Sequence, residues 1–474
     1  MSSSTLAWAE AEFGHAELGD VRRTRRLVRM AAEVASRPAG TVTRACRSDA
    51  SCEGAFRLLE NPSILPAAVT AAVELASAKR CAEEPFVYVP VDATSLKLVD
   101  RARNKGFGAV GSWSQGGRGV HVMTAFAVSP TGVPLGICSQ QMWTRTQRTK
   151  VPAKATSSQN SEERETRYWL DALRETTASF AESAPNCKPW FQLDRGGDCW
   201  PVLAMAHENK LYLTVRAAHD RRLDGIADLL WAALEKSPVL GYQDIEIPAR
   251  PGRRRQRKEG GRRIDWTTPF RKARTAKLTV RATRVPLSLS ISSTKRVRME
   301  INAVLVREKG RGEDRVEWLL LTTHPVHTRA DALAVVKGYG YRWRVEDLHR
   351  TWKRGLCRVE DSQLRSRDAL FKWATLLCTV ATRALHLTHL ARTQPELSAL
   401  DEFSRHELEA LIALREPKGV APDFVPSMHQ AVRWLAQIGG YMGKKHPPGP
   451  TVIGRGLLQI TIAARVLESR DKMR

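Results

Sequence analysis

The alternation of apolar and polar positions divides the chain into a helical start, a β-rich middle and a helical end. Leu18-Gly19-Asp20 reads as a turn and an N-cap, and Leu27, Val28, Met30 and Ala31 recur behind it with helical spacing. A second helical run, Glu53 to Leu59, is stopped by Asn61-Pro62. The pattern changes at Pro85. Phe86 to Val91 is a β-rich run that ends on Asp92, and His121 to Val128 is another, followed at hairpin distance by Leu135 to Cys138. A polar segment, Thr144 to Glu165, leads into a helix through Trp169-Leu170, and a strand from Pro189 to Leu193 ends on Asp194. Leu211 to Arg216 continues the sheet, and Lys277 to Val280, Arg298 to Val306 and Trp318 to Thr322 predict a mostly β insertion. From Thr328 the spacing predicts one long helix through Lys353 and another through Leu387, then a helical terminal module broken at Ile438-Gly439-Gly440 and at Lys444 to Pro450.

Two strands that each deliver an aspartate at their C-terminal end make an unusual pairing. The predicted helix around residue 346 adds a third carboxylate. At 100° per residue, Tyr339, Arg342, Glu346 and Lys353 fall within about 60° of arc. A stripe of that kind suits a phosphate backbone plus a metal, with Glu346 on the cation and Tyr339, Arg342 and Lys353 on phosphate oxygens. A surface helix with an i,i+4 pair between Arg342 and Glu346 fits the same stripe, so the helix alone leaves both readings open.

Charge narrows the choice of partner. The 474 residues carry 75 Lys and Arg against 50 Asp and Glu, a formal charge of +25, which points to a polyanion and to nucleic acid first. Between Arg250 and Arg284 there are 14 basic residues against two acids, as in a basic loop or hairpin crossing DNA. Arg22, Arg23, Arg25 and Arg26 crowd the first turn of a helix and oppose its macrodipole. Phosphate contact would offset that cost, and a solvated surface helix accounts for the segment equally well. Arg216 and Arg221 follow a strand and face the same choice between phosphate contact and ordinary surface. His349 lies near the stripe and either orients Glu346 or DNA or is a satisfied structural histidine.

Other chemistries find less support. Eight scattered cysteines form no C-x-x-C pair, so no zinc knuckle or disulfide framework is expected. There is no Walker-type phosphate loop and no H-E-x-x-H. No basic n-region precedes an apolar run at the start, and no stretch reaches the roughly 20 apolar residues that span a bilayer, so a cytoplasmic, nucleoid-associated protein without membrane contact is expected. The tryptophans default to core, with Trp318 and Trp343 singled out as aromatic platforms for an extruded base.

The spacing Y-x2-R-x3-E-x6-K, present as Tyr339, Arg342, Glu346 and Lys353, resembles the signature of bacterial cut-and-paste DDE transposases, especially the transposon-five group. The resemblance extends along most of the chain. Leu18 to Thr24 and Glu53 to Arg57 are similar to the family's DNA-binding region, and Asp92-Ala93-Thr94-Ser95-Leu96 to its first catalytic aspartate. Arg118-Gly119-Val120-His121 resembles a neighbouring segment, and Asp194-Arg195-Gly196-Gly197-Asp198 the second aspartate block. Trp318 to Thr322 resembles the strand whose tryptophan stacks on a flipped base, and Ile438 to Met442 the dimerisation region. One departure is clear: the second block usually reads D-R-E-x-D, and Gly196 stands where the glutamate is expected.

That resemblance implies an α/β fold. A ribonuclease H-like catalytic core (71–390, with a mostly β insertion at about 222–322) would lie between a helical DNA-binding domain (1–70) and a helical dimerisation region (391–474). It implies Asp92, Asp194 and Glu346 as catalytic metal ligands for two Mg2+ ions, with Mn2+ as substitute. Tyr339, Arg342, Lys353, Arg216, Arg22, Arg23, Arg26, Trp318 and Trp343 would contact DNA. The implied activity is metal-dependent transposition of an insertion sequence by a homodimer acting on terminal inverted repeats and target DNA: 3′ nicking, hairpin formation and resolution, then strand transfer. A non-catalytic DNA-binding relative that regulates transposition, a stand-alone nuclease and a nucleoid protein are the alternatives.

Overall fold

The computed structural model describes residues 3–473 except 112–116, 146–164, 248, 250–251, 260–261, 269, 291–295, 311–314, 422 and 444–445. Most of the polar segment from Thr144 to Glu165 therefore lies outside the described residues. The chain forms two compact units. One is built from Met1–Gln192 and Tyr341–Arg474, the other from Leu193–Gly340.

The first unit opens with five helices: α1 (Ser3–Phe13), α2 (Val21–Ser36), α3 (Val42–Ala45), α4 (Asp49–Glu60) and α5 (Pro66–Cys81). Asp20 caps α2 as its sequence suggested, its side chain accepting from the Arg22 backbone N–H at 2.8 Å. Thr24, Leu27, Val28, Ala31 and Val34 make the buried face of α2 and leave Arg22, Arg25 and Arg29 outside. The sheet follows, with β1 (Phe86–Lys97), β2 (Gly108–Ala109), β3 (Arg118–Val128), β4 (Pro134–Trp143), helix α6 (Thr166–Ser183) and β5 (Lys188–Leu193). β1 lies between β3 and β5, and β3 also takes β2 and β4. β1 and β3 are antiparallel, with Asp92 opposite Thr124 and Lys97 opposite Gly119.

The expectation that this strand ends on Asp92 is corrected: β1 runs five residues further, to Lys97. The reason lies on the partner strand. A Cβ at Gly119 would stand 1.8 Å from the Leu96 carbonyl oxygen, so only glycine lets β3 stay in register past that point.

In the second unit, α7 (Trp200–Glu208), β6 (Tyr212–Arg216), α8 (Leu230–Lys236) and β7 (Val239–Ile247) precede a hairpin of β8 (Arg253–Glu259) and β9 (Arg262–Thr268). Then come β10 (Arg274–Ser290), β11 (Arg296–Glu308), β12 (Glu317–Thr322) and helix α9 (Arg329–Tyr341). The strands run β6-β12-β11-β10-β7, and β8 and β9 pair only with each other. The basic segment is thus a hairpin.

The first unit resumes with α10 (Trp343–Lys353), α11 (Arg367–Thr393), α12 (Arg405–Arg415), α13 (Met428–Ile438) and α14 (Pro450–Asp471). The single helix expected from 328 to 353 is in fact two, α9 and α10, that meet at Arg342. Gly340, with its low helix propensity, sits just before the junction. α10 packs on β1 and β3. Buried Trp352 and Trp373 anchor it and α11, their indole N–H groups donating to Ala374 O (3.0 Å) and Gly40 O (2.8 Å). Apolar residues of α11 to α14, among them Leu387, Leu411, Leu435 and Ile460, form a common terminal core. No helix among the described residues is long and apolar enough to cross a membrane.

Candidate active site

Alternate residues of β1 share a face, so Tyr88, Asp92 and Thr94 point the same way. Contacts at both ends fix what that face meets. The Tyr88 ring lies 5.8 Å from that of Tyr341, and Lys353 Nζ donates to Thr94 Oγ1 at 3.1 Å. Six strand residues span about 20 Å and twelve helical residues about 18 Å, so strand and helix run alongside one another. Between these ends, Asp92 faces the middle of α10. A cross-strand contact agrees. Thr124, directly opposite Asp92, has its Oγ1 3.3 Å from His349 Nε2. Glu346 lies three residues before His349, less than one helical turn away. Two of the three carboxylates singled out from sequence, Asp92 and Glu346, therefore belong to one face-to-face strand and helix.

Glu346 is half-buried, and its Oε1 accepts from Arg342 Nη2 at 2.7 Å. The i,i+4 pair that the sequence left open is formed, and it spends one carboxylate oxygen. Arg342 is nearly buried, with its guanidinium 5.2 Å from the centre of the Trp343 ring, and Trp343 is 52% exposed. Lys353 lies 3.9 Å from Glu360, whose other oxygen takes Arg354 at 2.7 Å. Burial lowers the Lys353 pKa against the pull of Glu360. His349 is buried, and burial followed by the Lys353 charge pushes it down to about 3, which keeps the ring neutral.

Asp194 heads the second unit, directly after β5. Its Oδ1 accepts from the Gly196 N–H at 2.7 Å and caps the 3-10 turn Arg195–Gly197. The turn is ordered by the Asp194 side chain and the backbone, with no need of a side chain at position 196. Asp198, which sequence reasoning treated only as part of the block, is fully buried and takes Arg221 at 2.6 and 2.7 Å and the Ala218 N–H at 2.6 Å. Arg221, weighed above as a phosphate contact, is thus committed inside its own unit. Only its distance in sequence from Asp198 concealed the pairing.

The other expected DNA contacts sort by exposure. Tyr339 is 4% exposed, its ring 5.1 Å from Trp318 in an edge arrangement, so the two aromatic candidates pack on each other. Arg216 donates to the Glu317 carbonyl at 2.9 Å. Arg22 is exposed and ion-paired with Asp20 at 2.9 Å, Arg23 donates to Leu18 O at 3.0 Å, and Arg26 donates to Ser51 O. Arg25 and Arg29 are exposed with no side-chain partner among the described residues, and the sequence alone gave no reason to set them above their neighbours.

Among the described residues no three His, Cys, Asp or Glu side chains gather into a metal-holding group. The donor chemistry nevertheless suits a hard cation. Asp92 and Glu346 offer carboxylate oxygens from facing elements, and the Oε2 of Glu346 is left over from its Arg342 pair. All eight cysteines are free thiols. Residues 5–64 match the family model described as Transposase DNA-binding, and residues 232–383 match Transposase DDE domain. The first interval holds Arg22, Arg23 and Arg26; the second holds Trp318, Tyr339, Arg342, Trp343, Glu346 and Lys353; Asp92, Asp194 and Arg216 lie outside both. The chain carries a transposase DNA-binding domain and a DDE transposase domain.

Proposed function

We propose that this transposase performs cut-and-paste transposition of an insertion sequence, with Asp92, Asp194 and Glu346 as its three catalytic carboxylates. The observation that carries the reading is the bracketing of Asp92 and Glu346 between the Tyr88–Tyr341 and Thr94–Lys353 contacts. DDE domains use divalent cations. Mg2+ held by these carboxylates would activate the attacking oxygen and stabilise the leaving one.

The remaining work falls to the chain's own groups. Arg342 holds Glu346 in place and carries positive charge beside it, where a phosphate of the bound strand would sit. Lys353, fixed by Thr94, presents a second cation on the same helix. Neutral His349 braces α10 against β3 without adding charge. Exposed Trp343 offers a ring for an extruded base. Water first attacks the phosphodiester at the element's end and leaves a 3′-OH. That hydroxyl attacks the opposite strand to give a hairpin. A second water hydrolyses the hairpin phosphodiester and restores the 3′-OH, which then attacks target DNA. Two protomers act on a pair of ends.

The test uses a plasmid that carries the gene with its native flanks, incubated with purified protein and Mg2+. Wild type should release linear element DNA through hairpin intermediates. Glu346→Ala should bind and release nothing, and Asp92→Ala and Asp194→Ala should behave alike. Binding without cleavage by wild type would instead favour a regulatory, non-catalytic role.

A further inference from the structure

A surface cavity of about 340 Å³ lies at the junction of α11, α13 and the loop that leads into α14. Its walls include Arg392, His429, Arg433, Tyr441, His446 and Pro448, and none of its described lining residues is acidic. Arg392 braces the loop by donating to the Pro448 carbonyl at 2.7 Å. The Tyr441 hydroxyl closes it from the other side by donating to the His446 carbonyl. Gly440 and Gly443, at φ +94° and +77°, supply the left-handed turns that the loop needs around Tyr441. Arg433 and His429 are exposed and have no side-chain partner among the described residues. The loop then enters α14 at Gly449, a cap residue without a side-chain hydrogen bond.

Asp347 acts on Arg392 from behind the wall, but among the described residues no carboxylate lines the concavity or pairs with Arg433, so its open side, with the His429 and His446 rings beside that guanidinium, is electropositive. A ring and two prolines, Pro447 and Pro448, add apolar wall that a bare ion would not use. We infer that this cavity is a second nucleic-acid site, one that seats a backbone phosphate with its attached nucleoside. Arg433 and His429 would contact the phosphate, and Tyr441 and the prolines the sugar or base. The site lies outside both matched intervals, and its lining residues include none of the three carboxylates. The inference rests on the DNA-binding reading but not on the cleavage chemistry.

The experiment measures affinity for a short labelled duplex by fluorescence anisotropy across a range of salt. It compares wild type, the His429→Ala/Arg433→Ala double variant and a control, Arg405→Ala, in the same helical module. Arg392 is left intact because it holds the loop. The double variant should lower the slope of log affinity against log salt by about 1, as loss of one phosphate contact requires, and the control should not. Calorimetric titration with dAMP forms a second arm. Loss of dAMP binding in the double variant with an unchanged DNA slope would overturn the DNA assignment and make a free nucleotide the occupant. An unchanged slope without dAMP binding would overturn the site altogether. Cleavage by wild type is scored separately, so failure here and failure of the proposed activity give different results.

Discussion

At Gly196 a single residue departs from the pattern of the transposon-five group that the sequence resembles, and the structure shows what surrounds it. The Asp194 carboxylate is held by the Gly196 backbone N–H, a donor that any residue except proline would supply. Gly196 is exposed and does not use a left-handed φ. Gly196→Glu should therefore leave the turn intact. By narrowing the unfolded ensemble it should add about 0.4–1 kcal/mol of stability. Denaturant unfolding reads this directly, and a clear loss of stability would mean that the turn needs glycine after all. At the same scale the strand end before Asp194 was easy to read from sequence, because a β-rich run that stops on an aspartate before a Gly-Gly turn is a local pattern. The Glu346–Arg342 pair was equally visible from its spacing. Asp198–Arg221 was not, since no local rule links residues 23 apart through a buried contact.

Elements carry two further predictions. Asp198 is buried with Arg221 as its only ion-pair partner among the described residues, so Arg221→Ala strands a charge inside the second unit. The expected cost is about 3–5 kcal/mol, seen as earlier unfolding by circular dichroism; a shift below 1 kcal/mol would place the pair among ordinary surface bridges. The second concerns α5 against α6. Glu74 accepts from the Gln140 N–H at 3.1 Å, and burial, then the Glu175 carboxylate, raises its pKa to about 8. A raised carboxylate destabilises the folded state as pH climbs from the unfolded value near 4.5 towards 8, since the unfolded chain loses its proton first. Glu74→Gln should hence raise the melting temperature relative to wild type, little at pH 4 and most at pH 8 and above. A difference independent of pH would contradict that assignment.

Element types were largely legible, because period-2 and period-3.6 patterns are local. Two boundaries were not. β1 outlasts Asp92 because Gly119 on another strand permits it, and the 328–353 run divides at Arg342 although its polar spacing is unbroken.

For the whole molecule the large fact is the charge of +25 and where it sits. The β8–β9 hairpin holds Arg253, Arg254, Arg255, Arg257, Lys258, Arg262 and Arg263 against Glu259 and Asp265. Its two strands pair only with each other, while β10 continues through β7 and β11. Replacing residues 253–268 by a short Gly-Ser linker should thus leave the β6-β12-β11-β10-β7 sheet folded, a separation that lets one measurement isolate the hairpin's electrostatics. A protein that covers six to ten phosphates loses about 10³- to 10⁵-fold in affinity between roughly 50 and 200 mM salt. If the hairpin lies along DNA, its removal should flatten that dependence by several units of slope, well beyond the single unit expected at the α11–α13 cavity. It should also weaken binding alike on specific and unrelated duplexes, because backbone contacts carry no sequence information. Loss confined to the specific duplex would make the hairpin a reader of bases. An unchanged slope would move the phosphate contacts to the N-terminal helices, where Arg25 and Arg29 stand exposed on α2 and their paired substitution becomes the decisive measurement.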